Sequence, residues 1–122
     1  MKDFRVALAE GVILFDGAMG TELYAQGVFI NRAFEHLNVT APQMVTKVHE
    51  GYASAGAQVL TTNTFGANPV RMKEFGLEDQ FEAINADGVK LARQAAGDAA
   101  WVFASVGPIG QPIAPLGMLE PG

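Results

Sequence analysis

Residues 12–20 read VILFDGAMG: four apolar residues in a row, then an aspartate and a loop with two glycines. A short apolar run that ends at turn-forming residues is typical of a strand buried on both faces of a parallel sheet. Residues 12–15 are therefore predicted to form the first strand. Asp16 would then stand directly at the carboxyl end of that strand.

Residues 57–62 and 101–106 are predicted to form two further strands. Their sequences, AQVLTT and WVFASV, are short runs rich in apolar residues, and the second is broken by Gly107-Pro108. The segments between the strands are long enough to hold crossover helices. Strands that alternate with helices in this way imply a parallel sheet with right-handed connections.

Apolar residues at helical spacing predict one helix before the first strand and three between the strands. Thr40 and Gln43 form a capping-box pattern with Pro42 in the first turn, which predicts that a helix starts there, and Gly56 ends it. The other three helices are predicted over residues 3–10, 68–75 and 78–96. No element is predicted after Val106, where prolines and glycines crowd the sequence.

Three parallel strands make an incomplete α/β domain, because both outer strands would leave backbone groups and apolar faces open to water. A (β/α)8 barrel needs roughly 250 residues and a doubly wound sheet more often has about five or six strands. The chain has 122 residues. We therefore predict the first part of a larger α/β unit, with an edge-paired oligomer as the competing interpretation.

The composition excludes several classes of function. Thirteen acidic against eight basic residues give a net charge of -5, which does not favour nucleic-acid or anionic-membrane partners. The sequence has no cysteine, so it offers no disulfide, no thiolate zinc ligand and no cysteine nucleophile. No basic leader followed by an apolar run is found, and we expect a cytoplasmic location.

Three loops follow the predicted strands, and parallel α/β proteins bind their ligands on such loops. They are residues 16–21, 61–68 and 105–110. Asp16, at the end of an apolar strand, would favour a cationic partner such as a substrate ammonium, or would accept hydrogen bonds from its own turn. Gly17 and Gly20 permit positive φ and close backbone approach, so that N–H groups there could hold a carboxylate or a phosphate.

The second loop places four polar side chains in succession: Thr61, Thr62, Asn63 and Thr64, followed by Phe65 as an aromatic wall. Since side chains alternate along a strand, about half of these can face a site, and the sequence does not decide which half. The two histidines, His36 and His49, are expected to be structural. The spacing of residues thus predicts a binding surface without a reactive group.

The same loops carry a resemblance to a known family. The blocks LFDGAMGT (14–21), TTNTFGAN (61–68) and SVGPIG (105–110) resemble the first three signature blocks of the homocysteine S-methyltransferase family. The stretch FINR (29–32) is similar to the amino-terminal module of cobalamin-dependent methionine synthases. It is equally similar to that of bacterial proteins that fuse this module to a methylenetetrahydrofolate reductase.

The resemblance implies an α/β fold that is the amino-terminal portion, about three strands, of a (β/α)8 TIM barrel. Residues 1–122 would be a partial homocysteine-binding domain, truncated at its carboxyl end. The complete protein would use zinc to move a methyl group to the sulfur of homocysteine, giving methionine. Since the zinc-ligating cysteines would lie beyond Gly122, the chain alone is expected to be inactive and to hold no catalytic or metal-ligating residue.

The resemblance also assigns the substrate-binding residues. Asp16 would hold the homocysteine ammonium, and the backbone N–H groups of Gly17, Ala18, Met19 and Gly20 would face its carboxylate. The adjacent wall would be formed by Thr61, Asn63, Thr64 and Ser105. Downstream domains would carry methylcobalamin, methyltetrahydrofolate or FAD for the methyl donor.

Two other functions stay open from the sequence. One is a non-catalytic fragment or interaction module that needs a complementary chain, the missing half of the barrel or an edge-paired copy. Sedimentation and hydrogen exchange would identify it, since the strands would be associated or poorly protected. The other is a different barrel enzyme that binds phosphate at residues 17–20.

Overall fold

The computed structural model describes residues 1–29 and 31–120, so that Ile30 of the stretch 29–32 lies outside the described residues. Within them the chain forms six α-helices and two strands. The helices are α1 (Phe4–Glu10), α2 (Gly20–Ala25), α3 (Leu37–Thr40), α4 (Pro42–Ser54), α5 (Pro69–Glu74) and α6 (Phe81–Ala96); the strands are β1 (Val59–Thr61) and β2 (Trp101–Phe103). None of the described helices has the length and apolar character needed to cross a membrane.

The strands pair in parallel, as the alternation of elements predicts. Val59 lies opposite Trp101 and Thr61 opposite Phe103. Both strands are shorter than predicted, and the first predicted strand, 12–15, is reduced to a single parallel bridge from Phe15 to Val59. The spatial order is therefore the 12–15 segment, β1 and β2, with β1 in the middle.

The prediction that residues 12–15 are buried on both faces is wrong. Val12 is 94% exposed and Phe15 is 43% exposed. This segment lies at the outer edge of the sheet, and in the described residues only β1 pairs with it. Apolar runs are buried on both faces when further strands and helices enclose them, and among the strands of the described residues such cover is found around β1.

One face of the sheet packs against the two long helices. Leu60 is completely buried in a cluster with Ala57, Ala96 and Ala100, and Val102 packs against the same cluster. The small alanine side chains let α6 approach the strands closely. This layer fixes the strands relative to the helices, and with them the loops at the strand ends.

The other face is covered by aromatic side chains. Phe4 of α1 packs edge-to-face against Phe15, Trp101 and Phe103, with ring centroids 4.7 to 6.3 Å apart. The indole N–H of Trp101 donates to the carbonyl oxygen of Lys2. The leading helix, predicted over residues 3–10, is thus confirmed and lies against the sheet.

The region between the first loop and α4 differs from the prediction. The capping box is wrong: Ala41 precedes α4, and the Thr40 hydroxyl donates back to the carbonyl oxygen of His36. His36 belongs to a short 3-10 turn, not to a loop. The described residues also contain α2, α3 and a bridge between Ile113 and Leu119, none of which is predicted.

Candidate functional site

The loops after the strands border an open cleft of about 320 Å³, called here the strand-end cleft. Six of the nine residues predicted to bind substrate line it, together with four others. The full set is Gly17, Met19, Gly20, Phe34, Glu35, Thr61, Thr62, Asn63, Phe65 and Ser105. A larger groove of about 490 Å³ lies between α2 and α4 and contains none of the predicted residues.

Asp16 lies at the mouth of the first loop and is tied to β1. Its carboxylate accepts hydrogen bonds from the backbone N–H of Thr61 at 2.8 Å and from the Thr61 hydroxyl at 3.0 Å. Its partner is thus the neighbouring strand, and not its own turn. Because a carboxylate has about four acceptor positions, these two bonds fix the side chain and leave capacity for a further donor.

Gly17 and Gly20 are glycines because other side chains approach them closely. A Cβ atom on Gly17 would lie 2.9 Å from the Tyr52 hydroxyl, and one on Gly20 would lie 2.9 Å from the Phe34 ring. Neither residue has a positive φ, so the predicted close approach is found and the predicted positive φ is not. Tyr52 also donates to the carbonyl oxygen of Ala18, which holds the loop against α4.

The backbone N–H groups of this loop are available to a ligand. Within the described residues, the N–H groups of residues 17–20 donate no hydrogen bond. Met19, which lies between them, is half-buried and packs against the apolar cluster that contains Leu23. The loop is therefore anchored by its side chains while its donors remain free.

Thr62, Thr64 and Ser105 join the second and third loops in a closed set of hydrogen bonds. The Thr64 hydroxyl donates to the Ser105 carbonyl, and the Ser105 N–H donates to the Thr62 hydroxyl oxygen. The two threonine hydroxyls lie 2.6 Å apart, which leaves Thr62 as the donor in that pair. Thr64 is buried and does not line the cleft, so its side chain supports the site from behind.

Asn63 lines the cleft, and its side-chain amide group is bound within the protein. Its amide group donates to the Phe34 carbonyl at 2.9 Å and to the Asn38 side chain at 3.0 Å. Asn38 in turn donates to the carbonyl oxygens of Asn63 and Ile84. This buried pair of asparagines fixes the second loop to α3 and α6.

Phe34 and Glu35 line the cleft and are not predicted from the sequence. They lie in the 3-10 turn Phe34–His36. This segment is too short to show the regular spacing of apolar residues from which a helix is predicted. Glu35 Oε1 accepts a hydrogen bond from the backbone N–H of Gly66 at 2.8 Å. This contact joins residues 31 positions apart in the chain and ties Glu35 to the second loop.

Two titratable groups on α4 lie near the Asp16 carboxylate. Burial lowers the pKa of His49, and the negative charge of Asp16 opposes this shift. Burial raises the pKa of Tyr52, and the charges of Glu22 and Asp16 add to the rise. Both side chains are therefore neutral near pH 7, so that neither supplies a positive charge to Asp16.

The described residues do not fit a zinc site. No group of three or more His, Cys, Asp or Glu side chains within them is arranged to hold a metal ion, and the whole sequence lacks cysteine. What the cleft offers is one carboxylate, free backbone donors, hydroxyl groups and two aromatic rings, a set suited to binding a small polar molecule.

Comparisons with known proteins identify relatives of this chain. A family model described as homocysteine S-methyltransferase matches residues 13–121. Methionine synthases of Mycobacterium tuberculosis and Mycobacterium leprae are each 32% identical over 130 aligned positions, which cover 97% of this chain. The chain spans about 11% of the length of these relatives.

A solved structure resembles the fold. The metallated form of the homocysteine methyltransferase MmuM from Escherichia coli matches with a TM-score of 0.75 and 33% sequence identity. The match covers 87% of this chain and 41% of MmuM. The oxidized form of the same protein matches with a TM-score of 0.74.

Proposed function

Because this chain belongs to the homocysteine S-methyltransferase family, we propose that it supplies the homocysteine-binding loops of an enzyme that methylates the sulfur of homocysteine to give methionine. The observation that carries the proposal is the strand-end cleft. Three loops that follow parallel strands converge there, and six residues assigned to substrate binding line it. The substrate would be homocysteine, with a methyl donor as the second reactant.

We place the chain in the amino-terminal portion of a (β/α)8 barrel. Two parallel strands and a bridged third segment, backed by helices on one face, have the arrangement of the first strands of such a barrel. The match to 41% of MmuM agrees with a partial domain. Further strands would then pair with the open edges at residues 12–15 and at β2.

The amino-acid end of homocysteine fits the cleft by charge. Asp16 keeps acceptor capacity after binding Thr61 and would hold the ammonium. The free N–H groups of residues 17–20 would face the carboxylate. Thr61 and Ser105 would form the adjacent wall, while Asn63 and Thr64 hold that wall in place through their hydrogen bonds.

The thiol chemistry would depend on parts of the protein outside these residues. A zinc ion that binds homocysteine would lower the pKa of its thiol and present the thiolate for methylation. The ligands of that zinc ion would lie outside residues 1–122. Methylcobalamin, methyltetrahydrofolate or FAD would likewise be bound by downstream domains. The contribution of residues 1–122 is to bind and orient the substrate.

Binding of phosphate at residues 17–20 is disfavoured by the charge of the cleft. Among the described residues that line it, the single charged side chain is the carboxylate of Glu35. A carboxylate repels a phosphate and attracts an ammonium. An amino acid is therefore the better ligand for this site.

Calorimetry with homocysteine tests the proposal. In the complete protein, Asp16→Ala should weaken homocysteine binding by about 2–4 kcal/mol, because a charged partner would lose its counter-charge. Asp98→Ala, which removes an exposed carboxylate away from the cleft, is the matched control and should bind as the wild type does. Unchanged affinity in the Asp16 variant would reject the assignment.

A further inference from the structure

Glu35 is the one charged side chain that lines the strand-end cleft among the described residues. The other lining residues are glycines, polar neutral residues, two phenylalanines and a methionine. In a cleft without a lining cation, this carboxylate sets the sign of the local potential.

One carboxylate oxygen of Glu35 is engaged by the protein and the other is not. Oε1 accepts the Gly66 N–H at 2.8 Å. A Cβ atom on residue 66 would lie 2.9 Å from Oε1, so a side chain there would displace the carboxylate from its present position. In the described part of the chain, Oε2 takes part in no hydrogen bond or salt bridge, which leaves it available to a donor in the cleft.

The turn that carries Glu35 is fixed on both sides. The Phe34 carbonyl accepts the Asn63 amide at 2.9 Å, and the His36 ring lies 3.0 Å from the Gln80 side-chain oxygen. Two residues further on, Asn38 donates to the Asn63 carbonyl. Binding groups that are held in place by such supporting hydrogen bonds recognise ligands with little loss of conformational entropy.

We propose that Glu35 is a specificity-determining residue whose Oε2 accepts a hydrogen bond from the ammonium group of the amino-acid substrate. The inference rests on the proposed function and adds a second carboxylate to the one supplied by Asp16. An ammonium group has three donors, so it can bind both carboxylates and still bind a third acceptor. Two carboxylates make the site selective for a thiol amino acid over a thiol acid that lacks the amine.

A purely structural role for Glu35 makes a different prediction. If the side chain serves only to hold Gly66, its loss should disturb the cleft for every ligand of similar shape. If it binds the ammonium, its loss should affect only ligands that carry one. Glu35→Gln separates the two roles, because glutamine keeps an oxygen acceptor for the Gly66 N–H and removes the charge.

The test is calorimetry on the complete protein with two ligands, L-homocysteine and the same thiol acid without its amino group. Glu35→Gln should weaken homocysteine binding by about tenfold or more, the scale for losing a charged hydrogen-bond partner, and should leave the affinity for the desamino thiol acid unchanged or higher. Glu78→Gln, an exposed carboxylate in the turn before α6, is the control and should bind both ligands as the wild type does.

Three results would overturn the inference. Unchanged homocysteine binding by Glu35→Gln rejects the inference about Glu35 and leaves the proposed function standing. An equal loss of affinity for both ligands has the same consequence, because it identifies a structural role for Glu35. Absence of homocysteine binding by the wild-type protein rejects the proposed function and this inference together. Selective loss of homocysteine affinity supports both.

Discussion

His49 is fully buried on α4, and within the described residues neither of its ring nitrogens has a hydrogen-bond partner. Burial lowers its pKa in the folded protein, whereas the ordinary value is 6.5. Below that pH the unfolded chain binds more protons than the folded one. Linkage therefore requires that the stabilising contribution of neutral His49 is complete above about pH 6.5 and is lost as the pH falls below it.

We expect the free energy of unfolding to fall between about pH 7.5 and about pH 5.5, with part of the fall due to His49. Each unit by which its folded and unfolded pKa values differ is worth about 1.4 kcal/mol. In urea unfolding, the His49→Leu variant should lack the part of the fall in unfolding free energy that is due to His49. His36→Gln should retain it, because His49 is intact in that variant. Identical pH profiles for wild type and His49→Leu would contradict the prediction.

At the residue scale, the sequence predicted which loops meet at the strand-end cleft better than it predicted the contacts between them. The position of Asp16 after an apolar run predicts a carboxylate at a strand end, and the structure places it there. Its partner, Thr61, is 45 positions away in the chain, and pairing of strands, not local pattern, determines that contact. The same holds for Glu35, whose turn is held at the cleft by the bond to Gly66 and by the bond from Asn63 to the Phe34 carbonyl.

Two glycines within helices illustrate how elements pack. Gly88 lies on the buried face of α6, where a Cβ atom would come within 2.6 Å of the Thr64 methyl carbon and 2.8 Å of the Asn38 amide nitrogen. Gly51 lies on α4 with no atom within 4 Å of such a Cβ. The first glycine is needed for close packing behind the second loop, and the second is not.

Alanine at these positions should therefore have opposite effects on stability. Gly51→Ala should stabilise the protein by about 0.5–1 kcal/mol, the gain in helix propensity. Gly88→Ala gains the same propensity but overpacks the contact with Thr64 and Asn38, and should destabilise by about 1–2 kcal/mol net. Urea unfolding of both variants measures the difference; stabilisation by Gly88→Ala would show that α6 does not press on the second loop as described.

At the scale of elements, the long helices are predictable because their apolar stripes are regular. The starts of α5 and α6 agree with prediction to within a few residues, and Asn68 caps α5 as an N-cap residue does. The segment from Gly20 to Ala41 is not predictable in the same way. Its short helices are held by tertiary contacts, such as those of Asn38 with Asn63 and Ile84, and carry too few turns to show a period.

At the scale of the whole molecule, the described part of the sheet has two open edges. Val12 and Leu14 are exposed at one edge of the sheet, and Val106, after β2, is 87% exposed at the other. Apolar residues at unpaired edges are expected where further strands continue a sheet. The parallel arrangement follows from the alternation of strands and helices.

A crystal structure of the complete protein with bound homocysteine tests the central proposal most directly. We expect the ammonium and carboxylate of the ligand to lie in the strand-end cleft, against Asp16 and the N–H groups of residues 17–20, inside a barrel closed by the same chain. Homocysteine bound away from this cleft, or sheet edges covered by a second copy of the chain, would contradict it.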